Sequence, residues 1–398
     1  MKIPRRFSLR PATIAMLLGG TAIAGATGGV ALADSVDTTP IAQAMAPGPR
    51  AVAEAGTHAS LADMVQAVGP SVVQIQVKPQ ARMQQMASPD GDDGNDLQDR
   101  LGQLFGFQFR EQAPQRQAPM ERGALGSGFI IDASGLVLTN NHVVDGATDV
   151  TVQLSDGREL PGQVLGRDAK IDVAVVKIRA SGRFEPVRWG DSDRIRVGDS
   201  VFAVGSPFGL GNTVTSGILS ARGREIGAGP YDDFLQVDAA INSGNSGGPL
   251  FDANGRVIGI NTAIFSPSGG NVGIGFAIPS DMARKVARQI AEHGSVQRGR
   301  IGVSLQTLTP EIAEQLGVRT SKRALVADVE QDGTAAAAGL ESGDVIRSFA
   351  GKPIEDSGDL ARAVADARVG SRVPVIVLRE GRPLSFNLPI GSDAAQRS

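Results

Sequence analysis

The chain contains no cysteine. Disulfides, zinc–thiolate centres and a cysteine nucleophile are therefore excluded, and an exported form must be held together by its apolar cores alone. Aromatic residues are few, with one Trp and one Tyr among 398 residues. The three histidines, His58, His142 and His293, lie far apart, none at the i, i+3 or i+4 spacing of a metal-binding pair. No G-x-x-x-x-G-K-[ST] stretch is present, so nothing points to ATP use. Neither sign of charge dominates: the net charge of −3 creates no field that favours nucleic acid or an anionic membrane. No metal, cofactor or nucleic-acid partner is expected. What is plentiful is glycine, 51 residues of it, which suits a β-rich fold with many tight turns.

The first 33 residues stand apart. "MKIPRRFSLR" carries Lys2, Arg5, Arg6 and Arg10, an apolar run follows, and Ala31-Leu32-Ala33 supplies a small-x-small cleavage site. This pattern predicts a cleaved signal peptide over 1–33 and a periplasmic product; an uncleaved inner-membrane anchor is the alternative. "RRFSLR" loosely matches a twin-arginine signal. Residues 34–59 read as a flexible tether and 79–122 as a long polar, Gln-rich loop, with Phe105, Phe107 and Phe109 placed to dock on another surface. Between them "SLADMVQAVGPSVVQIQV" predicts a helix capped by Ser60 or Asp63, then a strand.

From Gly126 to about Ile278, short β-type runs alternate with turns, among them Ser134-Gly135, Asp156-Gly157 and Asn254-Gly255. Such spacing predicts an antiparallel barrel or sandwich. "SDMARKVARQIAEHG" predicts a helix with Ser280 as N-cap and Gly294 as stop. After a link at 293–298, residues 299–392 have the length and strand–helix alternation of a second domain, leaving 393–398 as a tail and 60–292 as the first domain.

The chemistry concentrates in "NSGNSGGPL" (242–250), where Ser246 sits among glycines. The stretch satisfies G-x-S-x-G, but a nucleophile elbow needs a helix after the serine and a histidine later in the chain. Here Pro249 and a strand–turn–strand pattern follow, and the one later histidine, His293, is accounted for by the end of a helix. A serine hydroxyl needs a base to take its proton, and neutral imidazole is the usual one. His142, at a strand end in "TNNHVV", is the best-placed candidate. Asp172 heads the β-branched run "DVAVVKI", where a carboxylate is costly unless paired, and it is the candidate to orient the imidazole. The order His142, Asp172, Ser246 is that of chymotrypsin-type enzymes. The glycines then have a use: N–H groups at Gly244 and Ser246, with Asn245 between them, can converge on a developing oxyanion.

"TNNHVV", "DVAVVKI", "GSPFGL", "TSGILSARGR", "QVDAAINSGNSGGPL" and "GINTAIFSPSGGNVGIGFAIPS" closely resemble the HtrA (Deg) family of trypsin-fold serine proteases. The resemblance runs from about residue 60 to 390. It implies a mainly β fold, a trypsin-like double β-barrel followed by an α+β PDZ domain. The first barrel would carry His142 and Asp172, the second Ser246. "TAAAAGLESGDVIRSFAGKPI" resembles a PDZ domain, and "RIGV" its carboxylate-binding loop. By that likeness Arg300, Ile301, Gly302 and Val303 would take a peptide C-terminus, the peptide adding as a strand. Ala240 stands where trypsin-like enzymes place an acid, and with Ile241, Thr262, Ala263, Ile264 and Phe265 it suggests an apolar pocket for small aliphatic residues. Arg224 falls at the family's loop sensor position. The resemblance further implies a homotrimer, or a multiple of it, acting on unfolded or misfolded proteins. Two rival readings are a peptide-binding chaperone with secondary proteolysis and an anchored protease with one dedicated substrate.

Overall fold

A computed structural model describes residues 60–77, 125–206, 212–242, 244–265, 271–315 and 323–392. The expected signal peptide, tether and polar loop with its three phenylalanines lie outside the described residues. Helix α1 (Leu61–Val68) starts where the sequence predicts: Ser60 Oγ accepts the N–H groups of Ala62 and Asp63, and Asp63 returns a bond to Ser60 N–H, so orphan donors at both positions are satisfied.

Six antiparallel strands then close a barrel in the order β1-β2-β3-β6-β5-β4. They are β1 (Val72–Gln76), β2 (Leu125–Asp132), β3 (Leu136–Thr139), β4 (Asp149–Gln153), β5 (Glu159–Asp168) and β6 (Val173–Ile178). Strand β6 shows why its sequence has no polar face. Ala174, Val176 and Ile178 point into the barrel, while Val173 and Val175 point outward into a second apolar layer. Alternate side chains leave opposite faces of a strand, and here both faces are covered. Of the predicted turn glycines, Gly135, Gly157 and Gly255 all adopt positive φ.

The second barrel comprises β8 (Ser200–Gly205), β9 (Thr213–Arg224), β10 (Phe234–Val237), β11 (Pro249–Asp252), β12 (Arg256–Ile264) and β13 (Gly275–Pro279), ordered β11-β8-β9-β10-β13-β12 and closed by a β11–β12 pairing. The short β7 (Arg188–Trp189) lies parallel to β12 on its outer side. Leu219, Leu235, Val237 and Ile258 fill its interior. The outward-facing Phe202, Phe251, Ile260 and Ile278 join Phe129, Val173 and Val175 of the first barrel in one shared core, with Phe202 and Phe251 stacked 5.0 Å apart. Helix α2 (Ser280–His293) seals that core with Ala283, Val286, Ala287 and Ile290, one stripe at helical spacing. Its stop is as expected, Gly294 at φ 73°. Its start is not: Pro279 occupies the cap position, and Ser280 is the first helical residue, its hydroxyl donating to Gly190 O at 3.3 Å.

The last segment is α+β. It contains β14 (Gly299–Arg300), β15 (Val303–Thr307), α3 (Pro310–Gln315), β16 (Ala324–Val329), α4 (Thr334–Ala337), β17 (Val345–Phe349), β18 (Lys352–Pro353), α5 (Ser357–Asp366), β19 (Arg372–Arg379), β20 (Arg382–Pro389) and β21 (Gly391–Ser392). The main sheet runs β15-β16-β17-β19-β20, with β18 paired to β17 and β14 to β21. Its own core gathers Ile301, Val326, Ile346, Phe349, Leu360 and Val375. Strand β15 is an edge strand, and Thr307 Oγ lies 2.7 Å from Ser357 Oγ at the start of α5.

Candidate active site

Strand β3 ends at Thr139, and the chain turns through Asn140 into a single helical turn, His142–Val144. Val143 is buried under the strand: a Cβ on Gly126 would fall 2.6 Å from its methyl groups, so only glycine admits this turn so close to β2. The His142 side chain keeps 25% of its surface exposed, whereas Asp172 is almost fully buried. His142 Nδ1 lies 2.7 Å from Asp172 Oδ2, and the His142 backbone N–H donates to Oδ1 at 3.0 Å. Both carboxylate oxygens thus serve one residue, which fixes the imidazole plane and leaves Nε2 as the outward nitrogen. Burial opposes a charge on His142, but the Asp172 charge and hydrogen bond, with Asp145 beyond, outweigh it and raise the imidazole above its ordinary value.

Asp172 itself sits at φ 57°, in the left-handed region that aspartate tolerates better than most residues. Asn140, fully buried, donates one amide group both to Asp172 O (2.8 Å) and to Thr262 Oγ1 (2.6 Å), joining the two barrels beneath the pair. Sequence reading did not single out Asn140; its signal was only a second asparagine beside the histidine.

Ser246 lies on the turn before β11, facing the first barrel, and its carbonyl accepts Ser127 N–H at 2.9 Å. Ser127 is a second residue that sequence reading passed over. Its hydroxyl donates to Gly244 O at 2.5 Å and accepts Ser206 N–H at 2.8 Å, and its carbonyl takes the Thr139 hydroxyl at 2.7 Å. A small polar residue in the otherwise apolar "SGFII" was the available clue. The glycines are explained by approach as well as by φ. A Cβ on Gly247 would lie 2.2 Å from Ser127 O, and one on Gly248 2.5 Å from Val204 O. Within the turn, Asn245 N–H donates to Asn242 O (3.0 Å), Gly247 N–H to Asn261 O (2.8 Å) and Gly248 N–H to Asn245 O (2.9 Å). Asn245, expected among the oxyanion residues, therefore directs its N–H into the turn. Gly244, at φ 96°, and Ser246 are the alternate positions.

The expected pocket residues divide. Ile241 and Ile264 are packed into the second-barrel core and Ala263 into the shared core. Thr262 is fully buried, holding Asn140. Ala240 is half-buried and Phe265 is 47% exposed. Arg224, expected in a loop, is the last residue of β9 and pairs with Phe234; its Nε donates to Gln236 Oε1 at 2.8 Å. In the last segment, Ile301 is a core residue whose carbonyl accepts Ala335 N–H, Gly302 takes φ 74° as the chain enters β15, and Arg300 pairs with Glu330. Val303 opens the edge strand.

Among the described residues, one carboxylate group, Asp191, Asp193 and Asp281, has oxygens close enough to share a cation. Arg284 and Arg222 already pair with Asp281 and Asp193, and Ser192 donates twice to Asp281.

Both segments of the chain resemble known proteins. The trypsin-like peptidase domain family matches residues 126–260, and the PDZ domain family matches 299–390. A probable periplasmic serine endoprotease, DegP-like, of Brucella suis is 48% identical over 84% of this chain and 69% of its own. The periplasmic serine endoprotease DegP of Escherichia coli K12 is 43% identical over 83% of this chain and 72% of its own. Among solved structures, the HtrA-type protease AlgW with a tripeptide superposes with a TM-score of 0.67 at 41% identity, covering 83% of this chain and 96% of that one. Two barrels, a glycine-framed serine on the second and a PDZ domain behind them make this a trypsin-like serine endopeptidase. Within that class the chain belongs to the DegP-like, HtrA-type family.

Proposed function

We propose that the protein is an exported, ATP-independent endopeptidase of the periplasm. It hydrolyses unfolded or damaged envelope proteins through Ser246, His142 and Asp172. The observation that carries this reading is the His142–Asp172 pair, with Nδ1 2.7 Å from one carboxylate oxygen and the backbone N–H on the other. Asp172 holds the Nδ1–H tautomer, so Nε2 is the basic atom. As Ser246 Oγ attacks the scissile carbonyl, Nε2 takes its proton, and the Asp172 charge stabilises the imidazolium that forms. The carbonyl electron pair moves onto oxygen, toward the N–H groups of Gly244 and Ser246, where each such donor is worth about 3 kcal/mol of barrier. His142 then protonates the leaving amine, and water repeats the sequence on the acyl-enzyme.

Specificity follows from position 240, where alanine offers no charge to a Lys or Arg side chain; small aliphatic residues before the cleaved bond are the proposed preference. The PDZ domain is the proposed regulatory module. Edge strand β15 can add a peptide strand beside α5, with the turn at Ile301–Val303 facing its carboxylate. AlgW, solved with a tripeptide, is a peptide-binding relative. A trimeric assembly is proposed from the family.

Casein degradation by wild type and Ser246→Ala, with and without a hydrophobic C-terminal peptide, tests this. Turnover is expected to vanish in the variant and to rise with peptide in the wild type. Undiminished casein cleavage by Ser246→Ala would overturn the nucleophile assignment, and cleavage indifferent to peptide would overturn the regulatory one.

A further inference from the structure

The triad carboxylate depends on a turn that is itself gripped from elsewhere. Strands β5 and β6 form a hairpin whose last facing pair is Asp168 and Val173, so residues 169–172 are its loop and Asp172 is the loop's final residue. Asp168 Oδ1 accepts Lys170 N–H at 2.9 Å and sets the first corner. The other oxygen of Asp168 lies 2.6 Å from Arg298 Nη1, with the two side chains only 3% and 10% exposed. Arg298 is no member of either barrel. It stands in the short link between α2 and β14, one residue before the PDZ domain.

The grip has a second jaw. The Arg298 guanidinium lies over the Tyr231 ring, 4.9 Å from its centre. Tyr231, Lys170, Ile171 and Asp172 together line one small cavity of about 20 Å³, and Gly229 approaches Lys170 O so closely that a Cβ would reach 3.2 Å. The loop ahead of Asp172 is therefore held between Arg298 and the 228–232 segment. The same segment receives the PDZ domain, since Arg362 of α5 donates to Asp232 O. A pair this dry is rigid in one sense: withdrawing either partner strands a buried charge, and the surroundings must move to meet it.

We propose that Arg298 is a positioning residue for proteolysis, holding Asp168 so that the hairpin loop presents Asp172 to His142. The link into the PDZ domain is then part of the catalytic support, and a change in its course reaches the triad through one ion pair. The inference rests on the triad reading above.

The test uses the full-length protein and three variants: Arg298→Gln, Arg298→Lys, and the neutral pair Asp168→Asn/Arg298→Met, which leaves no unpaired charge. The readouts are kcat and KM on a casein-derived peptide, the pH profile of kcat, and the rate of fluorophosphonate labelling of Ser246. Misplacing a catalytic group by about 1 Å can cost about 100-fold, so Arg298→Gln is expected to lose about tenfold or more in kcat with KM nearly unchanged. Asp172 and Asp145 are the acids that face His142 and raise it, so loosening Asp172 should also move the acidic limb of the profile to lower pH. Arg298→Lys, which keeps the charge without the planar fork, should recover part of the rate, and the neutral pair should stay slow. Folded Arg298→Gln with wild-type kcat and an unmoved limb would overturn the proposal. If that variant does not fold, a neutral pair with wild-type kcat overturns it instead, and if both fail to fold, Arg298→Lys with full wild-type kcat and labelling rate does so. Failure of the triad reading looks different: wild-type turnover would then survive Asp172→Asn as well.

Discussion

Asp172 combines three demands that seldom meet in one residue: left-handed backbone, deep burial, and two acceptors aimed at a single histidine. Each has a physical cause, since the tight loop imposes the φ, the shared core imposes the burial, and the imidazole satisfies the charge. Asp172→Asn keeps the shape but offers an amide where Nδ1–H needs an acceptor, favouring the wrong tautomer. A loss of about 10⁴-fold in kcat is expected, read by peptide hydrolysis against pH. The sign of the pH dependence follows from the raised imidazole. The base is neutral only above its pKa, so kcat rises through a limb lying above the ordinary histidine value, and the residual activity of Asp172→Asn should rise at lower pH. For stability the linkage runs the other way. A histidine raised by folding contributes stability below its unfolded pKa, and this is lost as pH climbs through the folded one. Asp172 and Ser246 stand out in the sequence as candidates because buried acids and glycine-framed hydroxyls are costly without a purpose. Ser127 and Asn140 do not, because a serine or asparagine acquires its role only from the strand that passes opposite.

Helix α2 is the element whose fate the sequence states best. Its apolar stripe at 283, 286, 287 and 290 and its glycine stop are visible as spacing, and the stripe turns out to cover the shared core. Only its first residue was misread, because Pro279 already sets an extended φ/ψ for the cap position and the Ser280 hydroxyl has a better acceptor in Gly190. Ile290 is fully buried. Ile290→Ala should therefore cost about 2–5 kcal/mol, measured as a shift in the urea midpoint at unchanged slope. A midpoint within error of wild type would show that the helix does not cover the core. Strand β12 teaches the converse. Its register slips between Asn261 and Ala263, so strict alternation fails there, and pocket residues inferred from sequence position include Ile264, which the slip carries into the barrel interior.

At the scale of the whole molecule, the barrels share one core while the PDZ domain keeps its own, meeting the second barrel and helix α2 through polar contacts. Arg362 donates to Asp232 O, Lys285 pairs with Asp366 at 2.6 Å, and Glu225 reaches the start of α5, where Gly358 leaves it room. Burial first, then Asp356, pushes the Glu225 carboxyl up, and burial does the same to Asp233. Carboxyls raised by a contact bind protons when it forms, so the contact is favoured in acid and weakens as pH rises through their folded values. Glu225→Gln removes that penalty. It should slow hydrogen exchange in α5 at neutral pH and leave it unchanged at low pH; equal exchange in both proteins at neutral pH would refute this.

By itself the sequence determined the β-rich architecture, the division into two segments, and which serine, histidine and aspartate are the candidates for the proposed chemistry, because periodicity, turn residues and the cost of burying polar groups are local properties of the chain. Tertiary structure alone decided which donors stay inside the nucleophile turn, how Ser127 and Asn140 lock one barrel to the other, and that an arginine 126 positions beyond Asp172 (298 against 172) grips the loop that carries it. Those are contacts between segments far apart in the chain, and they exist only once two closed barrels have buried a common face.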